Sequence, residues 1–192
     1  MPPKPKFTRK EIIEISLEII SENGAEALTA REIGKRLNSS PRPIFTLFAN
    51  MDELQDLVRD AAMKQFEDSF TNSKDDMPLF KKIGMHMVLF GLHEPKLYQY
   101  LFMNESEKAV NFDEVFGELG ELANICISAV EKDYGLKYDD AKFLFENVWI
   151  YTFGIGALCA TNVCKFTEER LNEMLSIQFT AIMKLKIGRA HV

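Results

Sequence analysis

The sequence predicts an all-α protein of about nine helices, and three observations carry that prediction. Along the 192 residues there is no strict apolar/polar alternation of the kind a half-buried strand needs, whereas long stretches repeat apolar residues every three to four positions. A Ser, Thr or Asn followed three residues later by Glu, the pattern of a helix N-terminus, recurs at Thr8/Glu11, Thr29/Glu32, Asn50/Glu53 and Asn111/Glu114. Glycines close several of these stretches, at Gly24, Gly135 and Gly188.

Residues 1–7, Met-Pro-Pro-Lys-Pro-Lys-Phe, contain three prolines and are expected to form an irregular arm. With Arg9 and Lys10 the arm carries four positive charges, which suits a phosphate backbone or minor groove as well as it suits a plain tail. Thr8 to Asn23 reads as a helix capped by Thr8 and Glu11, with Ile12, Ile15, Leu17, Ile19 and Ile20 on its apolar face.

The stretch from Leu28 to Asn50 reads as two short helices joined by a tight turn. Thr29 caps the first, with Glu32 reaching back to complete a capping box, and Ile33 and Leu37 share its inner face. Asn38 stands where a left-handed residue is needed, and Asn tolerates that conformation better than most. Ser40 caps the second helix with Pro41 at its first position; Pro43 lies in the same turn, where amides have no partner within the helix. Ile44, Leu47 and Phe48 then face inward, leaving Arg42, Phe45 and Thr46 outward. A short helix with an outward Arg and aromatic near its start suits the major groove of DNA.

The run from Thr29 through Phe48 to Asn50-Met-Asp-Glu-Leu54 resembles the DNA-binding motif of the tetracycline-repressor (TetR) family of bacterial transcriptional regulators, and residues 8–23 match the family's first helix. The resemblance covers roughly the first third of the chain. It implies that Thr29, Ala30, Arg31, Ser40, Pro41, Arg42, Pro43, Phe45, Thr46 and Asn50 lie at the DNA interface. Within that set Arg42 and Arg31 are candidates for base or phosphate contacts, Phe45 for a thymine methyl and Thr46 for a phosphate. The family usually has Tyr where Phe45 stands, Lys where Met51 stands and Gly where Asn38 stands, so a hydroxyl and a charge contact are missing here.

Asn50 caps a bridging helix over residues 51–70, whose inner stripe runs from Leu54 to Phe66. The polar segment Thr71–Asp76 marks the expected boundary between an N-terminal domain, residues 1–50 with the bridge, and a helical body, residues 71–192. In the body, helices are expected over 77–91, 95–102, 111–135, 139–162 and 167–187.

The net charge of −6 is unevenly spread. Residues 1–50 hold eight Lys+Arg against six Asp+Glu, and residues 51–192 hold 15 against 23, so a basic end sits on an acidic body and only one part invites phosphates. Cys126, Cys159 and Cys164 show no metal-ligand spacing and no signal-peptide pattern precedes them, so reduced thiols in a cytoplasmic protein are expected. The apolar run Val148–Ala160 is 13 residues, short for a bilayer, and no membrane partner is expected. His86 and His93 lack a third ligand at a supporting spacing, and Gly154-Ile-Gly156 lacks the third glycine and preceding strand of a dinucleotide loop. No nucleophile or Walker motif occurs, so neither an enzyme nor a cofactor is expected.

Small residues at Gly154, Gly156, Ala157, Ala160 and Thr161 point to close helix approach. With the apolar face of the last helix they make a candidate four-helix interface with a second copy, where the TetR family also dimerises. Residues 77–153 are dense in aromatics and Met. The resemblance implies a small-molecule effector between these helices, with Phe90, Phe116 and Trp149 as first candidates and Phe153, Tyr98 and Phe102 beside them. The expected function is a homodimeric, ligand-responsive repressor on a palindromic double-stranded operator. The alternative is a helical ligand- or partner-binding module that has lost DNA recognition, as Phe45, Met51 and the acidic total would allow.

Overall fold

The computed structural model describes residues 6–71, 77–103, 111, 114–116 and 119–187. The expectations for the arm over residues 1–5, for the polar boundary over 72–76 and for the stop at Gly188 fall outside them. No strand occurs among the described residues. Nine α-helices and one 3-10 turn have bounded ranges there: α1 (Arg9–Asn23), the turn (Ala25–Ala27), α2 (Ala30–Arg36), α3 (Ile44–Leu47), α4 (Met51–Thr71), α5 (Leu79–His93), α6 (Pro95–Phe102), α7 (Glu121–Tyr134), α8 (Tyr138–Ala160) and α9 (Glu168–Ile187). The protein is all-α, a helix-turn-helix unit plus a helical unit.

The first unit holds α1 to α4 together with α6. Its helix starts follow the capping chemistry of the sequence. The Thr8 amide donates to the Glu11 carboxylate at 2.7 Å while the Thr8 hydroxyl accepts the Glu11 amide at 3.2 Å. The Asn50 side chain accepts the Glu53 amide at 2.8 Å, which starts α4. Ile12, Ile19 and Ile20 of α1 (i, i+7, i+8) and Leu54, Val58 and Ala62 of α4 (i, i+4, i+8) are fully buried, the apolar stripes of two helices that pack together.

From the sequence α6 belongs with the later helices; in the structure it belongs to the first unit. Tyr98 is completely buried, Phe102 packs edge-on to Phe66 of α4 at 5.4 Å, and the Ser21 hydroxyl of α1 donates to Glu94 at 2.8 Å. Arg59 of α4 donates to the last carbonyls of α6, Tyr100 and Leu101, and the Tyr100 hydroxyl donates back to the Gln55 carbonyl at 3.0 Å.

The second unit holds α5 and α7 to α9, with α8 packed against the other three. Val88, Ile155, Cys159 and Leu171 form one buried cluster of α5, α8 and α9. Backbones approach closely at Gly91 of α5: a Cβ there would lie 2.6 Å from the carbonyl oxygen of Gly156. Gly156 therefore meets a helix of its own chain, while a Cβ at Gly154 would meet nothing within 4 Å.

The helix expected over 111–135 is interrupted. Residues 114–116 are helical and residues 119–120 form a turn; Gly120 has a φ of +53°, so α7 starts at Glu121. The cap expected at Asn111 is present, with its side chain accepting the Glu114 amide at 3.1 Å. The expectation that the apolar run is too short for a bilayer is also revised. At 23 residues α8 is long and apolar enough by length and composition, and the packing of α5, α7 and α9 against it makes it the centre of this unit.

Candidate nucleic-acid interface and cavity

The two short helices α2 and α3 are set by the turn between them. α2 ends with the Ser39 amide donating to the Gly34 carbonyl at 2.8 Å and Asn38 at φ +48°, the left-handed conformation expected of it. Gly34 is what lets the turn close. A Cβ there would lie 3.0 Å from the Ser39 carbonyl oxygen and 3.1 Å from the Pro41 nitrogen. Asn38→Val, which puts a branched side chain in the left-handed region, is expected to destabilise this unit by about 1–2 kcal/mol, read as a lower thermal midpoint; an unchanged midpoint would mean the turn relaxes freely.

Two capping expectations are corrected here. The Thr29 hydroxyl accepts the Glu32 amide at 3.2 Å, but the return half of the box is absent because the Glu32 carboxylate turns to Lys35 at 3.5 Å and Arg36 at 3.6 Å. Ser40 does not cap α3, which begins only at Ile44 after a turn in which the Ile44 amide donates to the Pro41 carbonyl at 3.1 Å. Pro43 removes the third-position amide that a Ser40 hydroxyl would accept, which leaves Arg42 as the one first-turn amide within its reach and weakens the cap.

What seats α3 is packing. Ile44 is 0% exposed and Phe48 2%, while Phe45 is 51% exposed and Arg42 and Thr46 face solvent with it. The Thr46 hydroxyl donates to the Arg42 carbonyl at 3.2 Å. Thr29, Arg31, Ser40 and Asn50 are exposed, and Ala30, Pro41 and Pro43 partly so. The interface residues expected from the resemblance are thus at least partly accessible, on one unit.

The distribution of charge is something the sequence could not give. Arg9 does not serve a free basic arm. It donates to the Leu47 carbonyl at 2.7 Å, pairs with Glu53 and stacks over the Phe48 ring at 4.5 Å, tying α1 to the end of α3 and the start of α4. The Ala49 amide, and after it Arg9, hold the Glu53 carboxyl below its ordinary range. Arg36 grips Glu22 with both terminal nitrogens, keeping that carboxyl low as well. Among the described residues Arg31 and Arg42 make no ion pair. Sequence reasoning missed Arg9 and Gly34; the available signals were an Arg on the first turn after a cap and a glycine inside a seven-residue helix.

In the second unit a cavity of about 240 Å³ lies among α5, α7, α8 and α9. Phe80, Met85, Val148, Leu175 and Phe179 supply its apolar wall; Asn172, Ser176 and Thr180 supply a polar stripe, and Lys81, Gly84, Tyr134 and Thr152 complete it. Burial, and next the Asp133 carboxylate, raise the Tyr134 phenol, so it stays a protonated donor. None of the six expected pocket residues lines this cavity. Phe116 and Trp149 pack edge-on at 5.2 Å and Trp149 stacks on Phe153 at 5.2 Å, Phe90 is buried, and Tyr98 and Phe102 belong to the first unit. Burial pushes the Cys126 thiol up to about 12, and burial followed by Cys164 raises Cys159, so both remain thiols near neutrality. Among the described residues no group of His, Cys, Asp or Glu is placed to hold a metal ion.

No protein-family model matches the chain, and no curated protein does. Among solved structures the fold is similar to the crystal structure of a transcriptional regulator from Rhodococcus sp. Rha1, with a TM-score of 0.61 and 13% sequence identity over 93% of this chain and 97% of that one. The chain therefore shares the fold of that structure.

Proposed function

We propose that the protein is a DNA-binding, ligand-responsive transcriptional regulator of the TetR type, acting as a cytoplasmic homodimer on a palindromic operator. The observation that carries the reading is the pairing of an exposed Arg42, free of ion pairs among the described residues, with an exposed Phe45 on a helix seated by Ile44 and Phe48. An arginine in that position is available for the bidentate base contact most often used for specificity, and Phe45 for a thymine methyl. Arg31 and Thr46 would meet phosphates, positioning the helix.

A second copy is supported by what the second unit leaves uncovered. Ile150, Gly154 and Leu158 form an exposed i, i+4, i+8 stripe on α8, and Ile177, Ala181 and Leu185 form another on α9, with Ile177 60% exposed. Two such apolar stripes match the self-complementary face of a twofold dimer. Two heads about 34–36 Å apart would then read successive major grooves. A small molecule in the 240 Å³ cavity would act as the effector. To weaken DNA binding a hundredfold it must favour the released state by about 2.7 kcal/mol.

Selection of bound duplexes from a random pool, followed by a gel shift at increasing salt, tests the reading. The expected result is enrichment of a palindrome and a log K that falls linearly with log salt, with a slope of about −2 to −4 if Arg31 and Arg42 supply the one or two phosphate contacts of each head. Absence of duplex binding at low salt would instead favour a ligand- or partner-binding module without DNA recognition.

A further inference from the structure

We infer that the cavity of the second unit takes a small aromatic carboxylate, a single ring bearing an anionic group. This names a ligand class for the effector site proposed above and rests on that reading. Size sets the first limit. At about 240 Å³ the cavity is larger than the roughly 150 Å³ that admits benzene and smaller than the roughly 300–1,000 Å³ of sites for drug-sized ligands, so one ring with a short substituent fits.

The wall chemistry sets the second. Phe179 lies 4.9 Å from Tyr134 at 49° and 6.3 Å from Phe80 at 47°, a tilted set of rings against which a planar ring finds edge and face partners. Met85 adds a polarisable neighbour. Along α9, Asn172, Ser176 and Thr180 recur every fourth residue, so these neutral polar groups fall on one face of the helix and line the cavity.

Charge sets the third. Lys81 is the cation of the lining, no carboxylate belongs to the lining, and among the described residues Lys81 makes no ion pair. Of the carboxylates next to lining residues, Glu173 holds Arg170 at 2.6 Å, while Asp133 accepts the Leu79 amide at 3.2 Å and its charge acts on the Tyr134 phenol. An ammonium-bearing ligand would find no counter-charge in the lining. A carboxylate finds Lys81 and the hydroxyl and amide donors of the stripe.

Calorimetric titration of the full chain with benzoate, benzamide and benzylamine, which share ring and size but differ in charge, tests this. Benzoate is expected to bind about tenfold more tightly than benzamide, with benzylamine weakest. Lys81→Met, at an exposed position that leaves the fold intact by circular dichroism, is expected to bring benzoate down to the benzamide level without moving benzamide. Ser176→Phe, which fills the cavity, is expected to abolish binding of benzoate and benzamide. Equal or tighter binding of benzamide or benzylamine, benzoate binding untouched by Lys81→Met, or binding by none of the three overturns the assignment. A parallel gel shift separates the two readings. Benzoate bound in the cavity without any change in operator affinity keeps the ligand class and removes the regulatory role. Release of DNA by a compound of another class, with benzoate not binding, does the reverse.

Discussion

Arg42→Ala is expected to weaken operator binding by about 1–3 kcal/mol per head, and by up to about twice that in a dimer that carries the change in both heads. The size follows from scarcity. Arg9 is committed to Glu53 and the Leu47 carbonyl, Arg36 to Glu22, Lys35 to Glu32 and Lys10 to Glu14, so their charges are largely offset within the unit. Of the four basic residues between Ala30 and Leu47, Arg31 and Arg42 are the ones without an ion pair among the described residues, and of the two Arg42 stands just ahead of α3 and Phe45. Fluorescence anisotropy against the selected operator and its single-base variants at one salt concentration is the measurement. If Arg42 reads a base, the variant loses affinity for the best site and discrimination at one position per half-site. A uniform loss across all sequences would reassign it to phosphate, and unchanged affinity would remove it from the interface.

Gly91→Val is expected to destabilise the second unit by about 3 kcal/mol or more, read by thermal or urea unfolding of the full chain. The added Cβ would sit 2.6 Å from a backbone oxygen of Gly156, and backbone cannot swing aside as the end of a side chain can. Relief requires α5 and α8 to part, which loosens the packing of Val88 against Ile155. Even Gly91→Ala, whose helix propensity alone would add about 1 kcal/mol, is expected to lose on balance. Gly154, two residues before Gly156 on α8, provides the contrast: with nothing within 4 Å, alanine there is expected to stabilise a monomer by up to about 1 kcal/mol. If a second copy closes over that face, the same change weakens self-association instead, which sedimentation equilibrium detects.

Local chemistry was the legible part of this sequence. The reciprocal Thr8/Glu11 cap, the Asn50 and Asn111 caps, Pro95 at the start of α6 and left-handed Asn38 all depend on residues within three or four positions, and all are present. The failures involve competition or distance. Glu32 was drawn off by Lys35 and Arg36 on the outer face of α2, and α6 was claimed by Phe66 and Arg59, some forty residues earlier in the chain. The cavity was illegible for a different reason. Aromatic density signals filled space, and Phe116, Trp149 and Phe153 fill theirs with one another. The opening falls where Gly84, Ser176 and Thr180 leave volume unfilled, and small residues carry no such signal until the fold brings them together.

The two prolines ahead of α3 have a consequence for how the molecule would meet its target. With Pro41 and Pro43 fixing two backbone torsions, and Ile44 and Phe48 buried in the following turn, the segment that presents Arg42 and Phe45 is held in place before any contact is made. Docking would then proceed as the meeting of two rigid bodies, with little ordering entropy lost and only the modest heat-capacity change that the contact area itself contributes.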